Sequence, residues 1–302
     1  MNIIETTNLS HRYWRTAALQ DLTLAVPTGS VMALLGSNGA GKTTTIKVIM
    51  NLLRPSAGSA RVLGVDSRQL GERELAQIGY VSENQKLPEW MTVRQLLDYC
   101  RPFYPTWDRA LEAKLLAQFD LPPERKLKQL SRGMKMKAAL LSTLAYRPKL
   151  LVLDEPFSGL DPVVRDDFTR GLLEAAELGD WTVLVSSHDI EEVERLADQI
   201  TLLEAGRLKF TETTESLLGR FRKIEIDQEV GVLGGPVPAT WIGWESGAGR
   251  ASFVDTAYDR VATERACRER FPSAAVQARP MTLREIFVTL ARPGRKTQGA
   301  AA

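Results

Sequence analysis

Several features that would assign a chain to a specialised class are scarce or missing here. There are two cysteines in 302 residues, Cys100 and Cys267. They stand far apart and outside any C-x-x-C spacing, which excludes a disulfide framework and leaves no zinc-type ligand set. Both are expected to pack as small apolar groups in a reducing cytosol. The formal net charge is only +2 with 25% charged residues, so no long-range attraction to nucleic acid is implied. Long hydrophobic runs are absent. The strongest, such as Leu150–Leu153 and Val183–Val185, fall far short of the ~20 residues that cross a bilayer. Met1–Ser10 lacks a basic segment followed by an apolar one and predicts no secretory signal. Internal repeats and low-complexity tracts are also missing. What remains is an ordinary globular composition, 44% hydrophobic, on a chain long enough for one large domain and a smaller one.

Against that background one segment stands out. Gly36-Ser37-Asn38-Gly39-Ala40-Gly41-Lys42-Thr43-Thr44 fits the phosphate-cradling pattern G-x-x-x-x-G-K-[ST] at every fixed position. The apolar run Val31–Leu35 before it reads as a buried strand, and Thr43–Leu53 after it reads as a helix, which is the context this loop requires. Glycines let the backbone wrap an anion so that successive N–H groups and the positive helix end face it. A nucleoside triphosphate site follows, with Lys42 reaching the β and γ phosphates and Thr43 ligating magnesium.

The rest of the chain divides by pattern. Residues 1 to about 80 show apolar-rich runs broken by Gly, Pro and Ser, which predict strands. From Thr92 to about Leu121 the apolar positions Val93, Leu96, Leu97 and Cys100, then Leu111, Leu115, Leu116 and Phe119, recur at helical spacing and predict a helical insert. Pro102, Pro105, Pro122 and Pro123 should end its helices. From Leu150 to about Thr201 buried strands alternate with amphipathic helices, the pattern of a parallel sheet covered on both faces. Beyond Gly219 a small separate α+β domain is expected over 220–291. It comprises an alternating strand at Lys223–Asp227, a loop at Gly231–Pro238, and a hairpin of Trp241–Glu245 and Arg250–Val254 about the turn Ser246–Gly249. Helices at Tyr258–Phe271 and Thr282–Leu290 follow, the second opened by the Thr282/Glu285 capping box. Arg292–Ala302 has no apolar period and predicts a disordered tail.

Two further strand ends carry chemistry. Leu150–Leu153 runs into Asp154-Glu155, and ligands of open parallel sheets sit at the C-terminal ends of strands. Asp154 would join the magnesium shell, while Glu155 would orient and deprotonate the attacking water. Thr182–Val185 leads into Ser186-Ser187-His188-Asp189, which positions His188 as a sensor of the γ-phosphate. His11, the other histidine, is read as a surface residue. Leu130-Ser131-Arg132-Gly133-Met134-Lys135 reads as a turn opening a helix that runs to Tyr146.

Taken together, these segments resemble the ATP-binding subunit of ATP-binding cassette transporters over roughly residues 1 to 215. In order stand Tyr13 before the first sheet, the loop GSNGAGKTT, Ile78-Gly79-Tyr80-Val81-Ser82-Glu83, the signature LSRGM, the strand LLVLDEP, the turn Ser158-Gly159-Leu160-Asp161 and His188. The resemblance implies a P-loop NTPase core of RecA-like type with an antiparallel β subdomain and an α-helical insert at about 84–146, the cassette occupying residues 1–219. It implies ATP and Mg2+ as cofactors and ATP hydrolysis as the reaction. Tyr13 would stack on adenine. Two cassettes, alike or different, would meet head to tail, so that Ser131 and Gly133 of one close on the γ-phosphate held by the other and Asp161 lies at the seam. Transmembrane permease subunits would dock near Glu83–Thr92, which puts the chain at the cytoplasmic face of the cell membrane as a peripheral subunit. No nucleic-acid partner is expected. The ending Met281-Thr282-Leu283-Arg284-Glu285-Ile286-Phe287 resembles cassette subunits with a C-terminal extension, many from export systems. A soluble cassette ATPase acting on ribosomes or nucleic acid is the alternative; such relatives usually carry two cassettes or long coiled-coil inserts, and neither is present here.

Two segments depart from the family pattern. Glu83 stands where glutamine is usual, with Gln85 two residues on, and either is a candidate for the magnesium shell. A carboxylate ligates magnesium but repels phosphate. In the signature, Arg132 and Met134 replace a glycine and a glutamine, and Arg132 either tightens the nucleotide clamp or faces solvent.

Overall fold

The computed structural model describes residues 1–177, 181–227, 237–247, 250–272 and 274–291. Most of the expected loop 231–238, the tip of the turn 246–249 and the tail 292–302 lie outside the described residues. Two compact units divide between Thr211 and Glu212, earlier than the expected boundary at 219.

The first unit begins with β1 (Asn2–Tyr13) and β2 (Thr16–Pro27), followed by β3 (Val31–Leu35) and α1 (Lys42–Ile49). Next come β4 (Ala57–Val62), β5 (Val65–Asp66), the single turn α2 (Glu72–Leu75) and β6 (Ile78–Ser82). The insert carries α3 (Val93–Cys100), α4 (Arg109–Gln118) and α5 (Arg132–Leu144). After it follow β7 (Leu150–Asp154), α6 (Pro162–Glu177), β8 (Thr182–Ser187), β9 (Gln199–Glu204) and β10 (Arg207–Thr213), whose last two residues fall past the division. β1, β2, β4 and β5 form an antiparallel sheet in the order β2-β1-β4-β5. The second sheet runs β10-β9-β3-β8-β7-β6, and β9, β3, β8, β7 and β6 are parallel.

Local sequence accounts for most of these elements. β7 is buried at every position, as a parallel strand covered on both faces must be. α3 opens on a Thr92/Gln95 capping box and buries Val93, Leu96 and Leu97 on one face. α1 stops at Ile49, short of the expected Leu53. Asn51 takes a left-handed φ of 58°, and the Leu52 amide reaches back to the Lys47 carbonyl at 2.8 Å, closing the helix in a Schellman-type end. One core joins both sheets through α1. Ile4, Leu22 and Val26 pack with Met32 and Leu34, with Ile46 and Ile49, and with Val152 and Leu184. Removing one such side chain typically costs about 2–5 kcal/mol, so the phosphate loop stands on a rigid base.

His11 corrects an expectation. It is buried rather than on the surface, and its Nδ1 lies 2.9 Å from the carbonyl oxygen of Arg54, with Tyr13 packed edge-on against the ring. That partner is 43 residues away in sequence, so no local pattern announces it.

The second unit contains α7 (Thr214–Arg220), β11 (Arg222–Ile226), β12 (Trp241–Gly247), β13 (Arg250–Asp255), α8 (Arg260–Arg270), β14 (Val276–Pro280) and α9 (Leu283–Ala291). Its antiparallel sheet runs β12-β13-β11-β14. Phe253 is stacked on Trp241 and Trp244 at 4.3 and 4.4 Å, with Ile224, Cys267 and Phe271 completing the core. Cys267 thus packs as an apolar group, and burial raises its thiol pKa to about 11. The Thr282/Glu285 capping box is made as expected, with the Glu285 amide on Thr282 Oγ1 at 3.2 Å and the Thr282 amide on Glu285 Oε2 at 2.8 Å. Among the described residues no helix is long and apolar enough to cross a membrane.

Candidate functional site

Strand register assembles the site. Leu35 of β3 pairs with Ser187 of β8, Asp154 of β7 pairs with Ser186, and Ser82 of β6 pairs with Asp154. The C-terminal ends of these strands are therefore level to within a residue. The residues that leave the sheet there are Gly36, His188, Glu155 and Glu83. The cleft they border has a volume of about 510 Å³, within the usual size range of small-molecule sites. Its lining includes Tyr13, Gly39, Lys42, Thr43, Glu83, Glu155, Ser158 and His188.

The loop Gly36–Thr44 is built for a close backbone approach. Gly41 has φ 108°, and a Cβ there would lie 2.8 Å from the Ala18 carbonyl oxygen. At Gly36 a Cβ would come within 2.5 Å of the Leu203 carbonyl oxygen. Asn38, Gly39, Gly41 and Thr44 line the cleft, whereas Ala40 is buried beneath it. Lys42 Nζ donates to the carbonyl oxygens of Gly36 at 2.6 Å and Ser37 at 3.2 Å, and stands 3.1 Å from Glu155 Oε1.

Thr43 Oγ1 donates to Asp154 Oδ1 at 3.1 Å, and Ser186 Oγ donates to the same oxygen at 2.7 Å. Burial pushes the Asp154 carboxyl above the usual range, with the two hydroxyls acting against that shift. A buried carboxylate beside a hydroxyl is a hard oxygen donor pair, which suits a divalent cation such as Mg2+. These two residues fit that ion.

Glu155 sits in the left-handed region at φ 52°, an uncommon place for a non-glycine residue, and its amide donates to Ser186 Oγ at 3.0 Å. Its Oε2 lies 2.7 Å from His188 Nδ1. That hydrogen bond is the main reason the imidazole pKa is raised above its ordinary value. Asp189 caps a short turn through the Glu191 amide at 3.0 Å, so His188 leaves the strand on a fixed path. Below it, buried Glu192 accepts from Ser187 Oγ and pairs with Arg165 at 3.3 Å; burial raises its pKa.

Glu83 lines the cleft, whereas Gln85 turns back and accepts from the Ser82 amide at 3.4 Å. Of the two candidates only Glu83 reaches the cleft. Ser158 Oγ donates to Glu83 Oε1 at 2.7 Å, the largest cause of its lowered pKa, and Arg132 Nη2 donates to the same oxygen at 2.9 Å. Arg132, half exposed, is thus held by Glu83 of its own chain.

The residues expected at the seam between cassettes, Ser131, Gly133 and Asp161, do not line this cleft. Ser131 caps α5, its Oγ accepting from the Met134 amide at 3.2 Å. Gly133 is buried against α6, where a Cβ would meet Val164 Cγ1 at 2.6 Å. Asp161 Oδ1 accepts from the Val164 amide at 3.0 Å and opens α6. Neither Ser158 nor Ser186 is among the expected site residues, although each lies within a motif named above. A hydroxyl three residues after a strand-end acid, or level with one across the sheet, is the available signal.

A family model described as ABC transporter matches residues 19–158. The ABC transporter ATP-binding protein YtrB of Bacillus subtilis is 30% identical over 224 residues, covering 74% of this chain and 76% of its own. The sulfate/thiosulfate import ATP-binding protein CysA of Yersinia pseudotuberculosis is 33% identical over 223 residues, covering 71% and 61%. Among solved structures, an ATP-binding subunit of an ABC transporter aligns with a TM-score of 0.64 at 31% identity, over 71% of this chain and 91% of that one. Loop, strand-end acids and histidine stand together in one cleft on the sheet these relatives share, and the chain belongs to the ATP-binding subunits of ABC transporters, which are ATPases.

Proposed function

We propose that this ATPase subunit pairs head to tail with a second cassette, either a copy of itself or a close relative, and powers substrate export through separate transmembrane permease subunits at the cytoplasmic face of the membrane. The observation that carries the pairing is the separation within one chain. Lys42, Thr43, Glu155 and His188 line the cleft, while Ser131, Gly133 and Asp161 lie outside it. A γ-phosphate held by the first group is then open on one side, and a partner's α5 N-terminus would close it.

Each residue has a physical task. Tyr13, half exposed at the rim, would stack on adenine. The Gly36–Thr44 backbone would cradle the phosphates, with Lys42 exchanging its carbonyl partners for phosphate oxygens. Thr43, Asp154 and Glu83 would hold Mg2+, which supplies charge neutralisation to the phosphates when bound. Glu155 would accept the proton of the attacking water, and His188 would hold Glu155 in place and sense the γ-phosphate. Hydrolysis adds charge repulsion and breaks the phosphate bridge between the cassettes. The pair then opens, and that motion would be passed to the permease subunits docked near Glu83–Thr92.

The resemblance of Met281–Phe287 to the endings of export subunits supports export. Likeness to an import ATP-binding protein supports import as a second reading. Purifying the chain from its native membrane in mild detergent, and identifying what accompanies it, tests the partnership. Recovery with ribosomes and without any membrane polypeptide would instead favour the soluble ATPase. With the partner in hand, ATP-driven uptake into inside-out vesicles marks export, and ATP-driven loss from them marks import.

A further inference from the structure

The guanidinium of Arg132 ties three segments together. From the first turn of α5 it reaches Glu83 Oε1 at 2.9 Å, just beyond β6. Ser158, in the turn after β7, donates to that same oxygen at 2.7 Å. The guanidinium also lies across the backbone of Gly159, where an added Cβ would stand 2.8 Å from Nη1 and 3.0 Å from Cζ. Glu83 is anchored from its backbone as well, its amide donating to the Asp154 carbonyl oxygen at 2.9 Å. Glu83 Oε1 takes both side-chain bonds, while Oε2 takes none among the described residues.

This arrangement bears on charge more than on folding. Both side chains are partly exposed, and pairs of that kind contribute little to stability. Yet Glu83 lines the same cleft as Lys42, Thr43, Glu155 and His188. A carboxylate there opposes a triphosphate unless its charge is cancelled. Arg132 is the cation in contact with it.

We propose that Arg132 is a positioning residue for Glu83: it fixes one carboxylate oxygen and neutralises the acid, so that Glu83 lines the triphosphate cleft without repelling its occupant. A tie between the signature segment and the cleft acid of one subunit follows. When α5 moves, Glu83 must move with it or lose its counter-charge. Both residues are among the positions at which the chain departs from its family pattern, and the structure brings these two departures into contact. The proposal rests on this cleft being the ATP site.

The test is ATP binding by the full-length chain in excess EDTA, measured by equilibrium dialysis for wild type, Arg132→Ala, Arg132→Lys, Glu83→Gln and the Glu83→Gln/Arg132→Ala double variant. Arg132→Ala should weaken binding about three- to tenfold, the scale of one unit charge near a triphosphate in a surface cleft, and the loss should shrink as salt is raised. Arg132→Lys should recover most of it. In the Glu83→Gln background the loss from Arg132→Ala should be clearly smaller, since only the direct attraction of the guanidinium for the phosphates remains and no unpaired acid is left facing them. An equal loss in both backgrounds, or none in either, overturns the proposal. A wild-type chain that binds no ATP overturns the site assignment itself, which is a separate result.

Discussion

Lys42 Nζ lies 3.1 Å from Glu155 Oε1, and both side chains are almost wholly removed from solvent. The cation of the phosphate loop and the acid at the end of β7 therefore neutralise each other across the cleft. The remaining hydrogens of the same ammonium serve the Gly36 and Ser37 carbonyls. Each is a weaker partner than a phosphate oxygen, so nucleotide can displace them without leaving the charge unmet.

Lys42→Ala should remove nucleotide binding and also destabilise the first unit. Glu155 would keep its bond to His188 but lose its counter-charge in a largely buried place. A loss of about 1–3 kcal/mol is expected for stranding such a group. Denaturant titration measures the second effect, and the absence of any rise in Tm on adding MgATP measures the first. Unchanged ATP affinity would refute the loop assignment.

Glu155→Gln separates binding from turnover. Glutamine retains the shape and one acceptor oxygen but cannot take a proton, so hydrolysis should fall roughly 10²- to 10⁴-fold. ATP should remain bound, because Lys42 is freed from its acidic partner rather than lost. With hydrolysis stopped the paired state should accumulate. Light scattering in MgATP reads this directly, and a variant that binds ATP yet stays monomeric would count against the head-to-tail arrangement.

These residues are legible in the sequence because their patterns are local. Gly36–Thr44 is contiguous, and its neighbours Val31–Leu35 and Lys42–Ile49 form the strand and helix that the motif demands. Asp154 and Glu155 follow an apolar run whose full burial could be read directly. Other contacts depend on tertiary register. Arg132 and Glu83 are 49 residues apart, and Ser158 and Glu83 are 75 apart. Ser186 meets Asp154 only because β7 and β8 are in phase at that row. His11 looked like a surface residue because nothing nearby in sequence marks Arg54 as its partner. An apolar period alone extends α1 too far, because it cannot reveal that Asn51 turns left-handed.

His188 should titrate above its ordinary value. The chain has two histidines, His11 and His188, so two imidazole resonances followed by NMR suffice. The hydrogen bond to Glu155 favours the protonated ring. A group whose folded pKa is raised stabilises the fold fully below its unfolded pKa, near 6.5, and that contribution is lost as pH rises through the folded value. In Glu155→Gln the His188 midpoint should fall back toward 6.5 and this part of the pH dependence of stability should flatten. A midpoint that does not move would mean that Glu155 is not its partner in solution.

Ser131 offers the cleanest test of the partner's contribution, because its local and distant roles can be divided by choice of side chain. Within one chain it is an exposed N-cap, its Oγ accepting from the Met134 amide at 3.2 Å. Gly133, by contrast, is packed on Val164, so changing it would disturb α6 first. Aspartate caps a helix as well as serine and adds favourable charge at its N-terminus. Ser131→Asp should therefore leave Tm unchanged or slightly raised, and ATP affinity of the isolated chain within about twofold. Across a head-to-tail interface the same carboxylate would face the partner's γ-phosphate, and the unlike outcome follows: hydrolysis should fall by about tenfold or more. Ser131→Thr, which keeps a neutral hydroxyl, should retain most of the rate. Full hydrolysis by Ser131→Asp would mean that this helix end never approaches a phosphate.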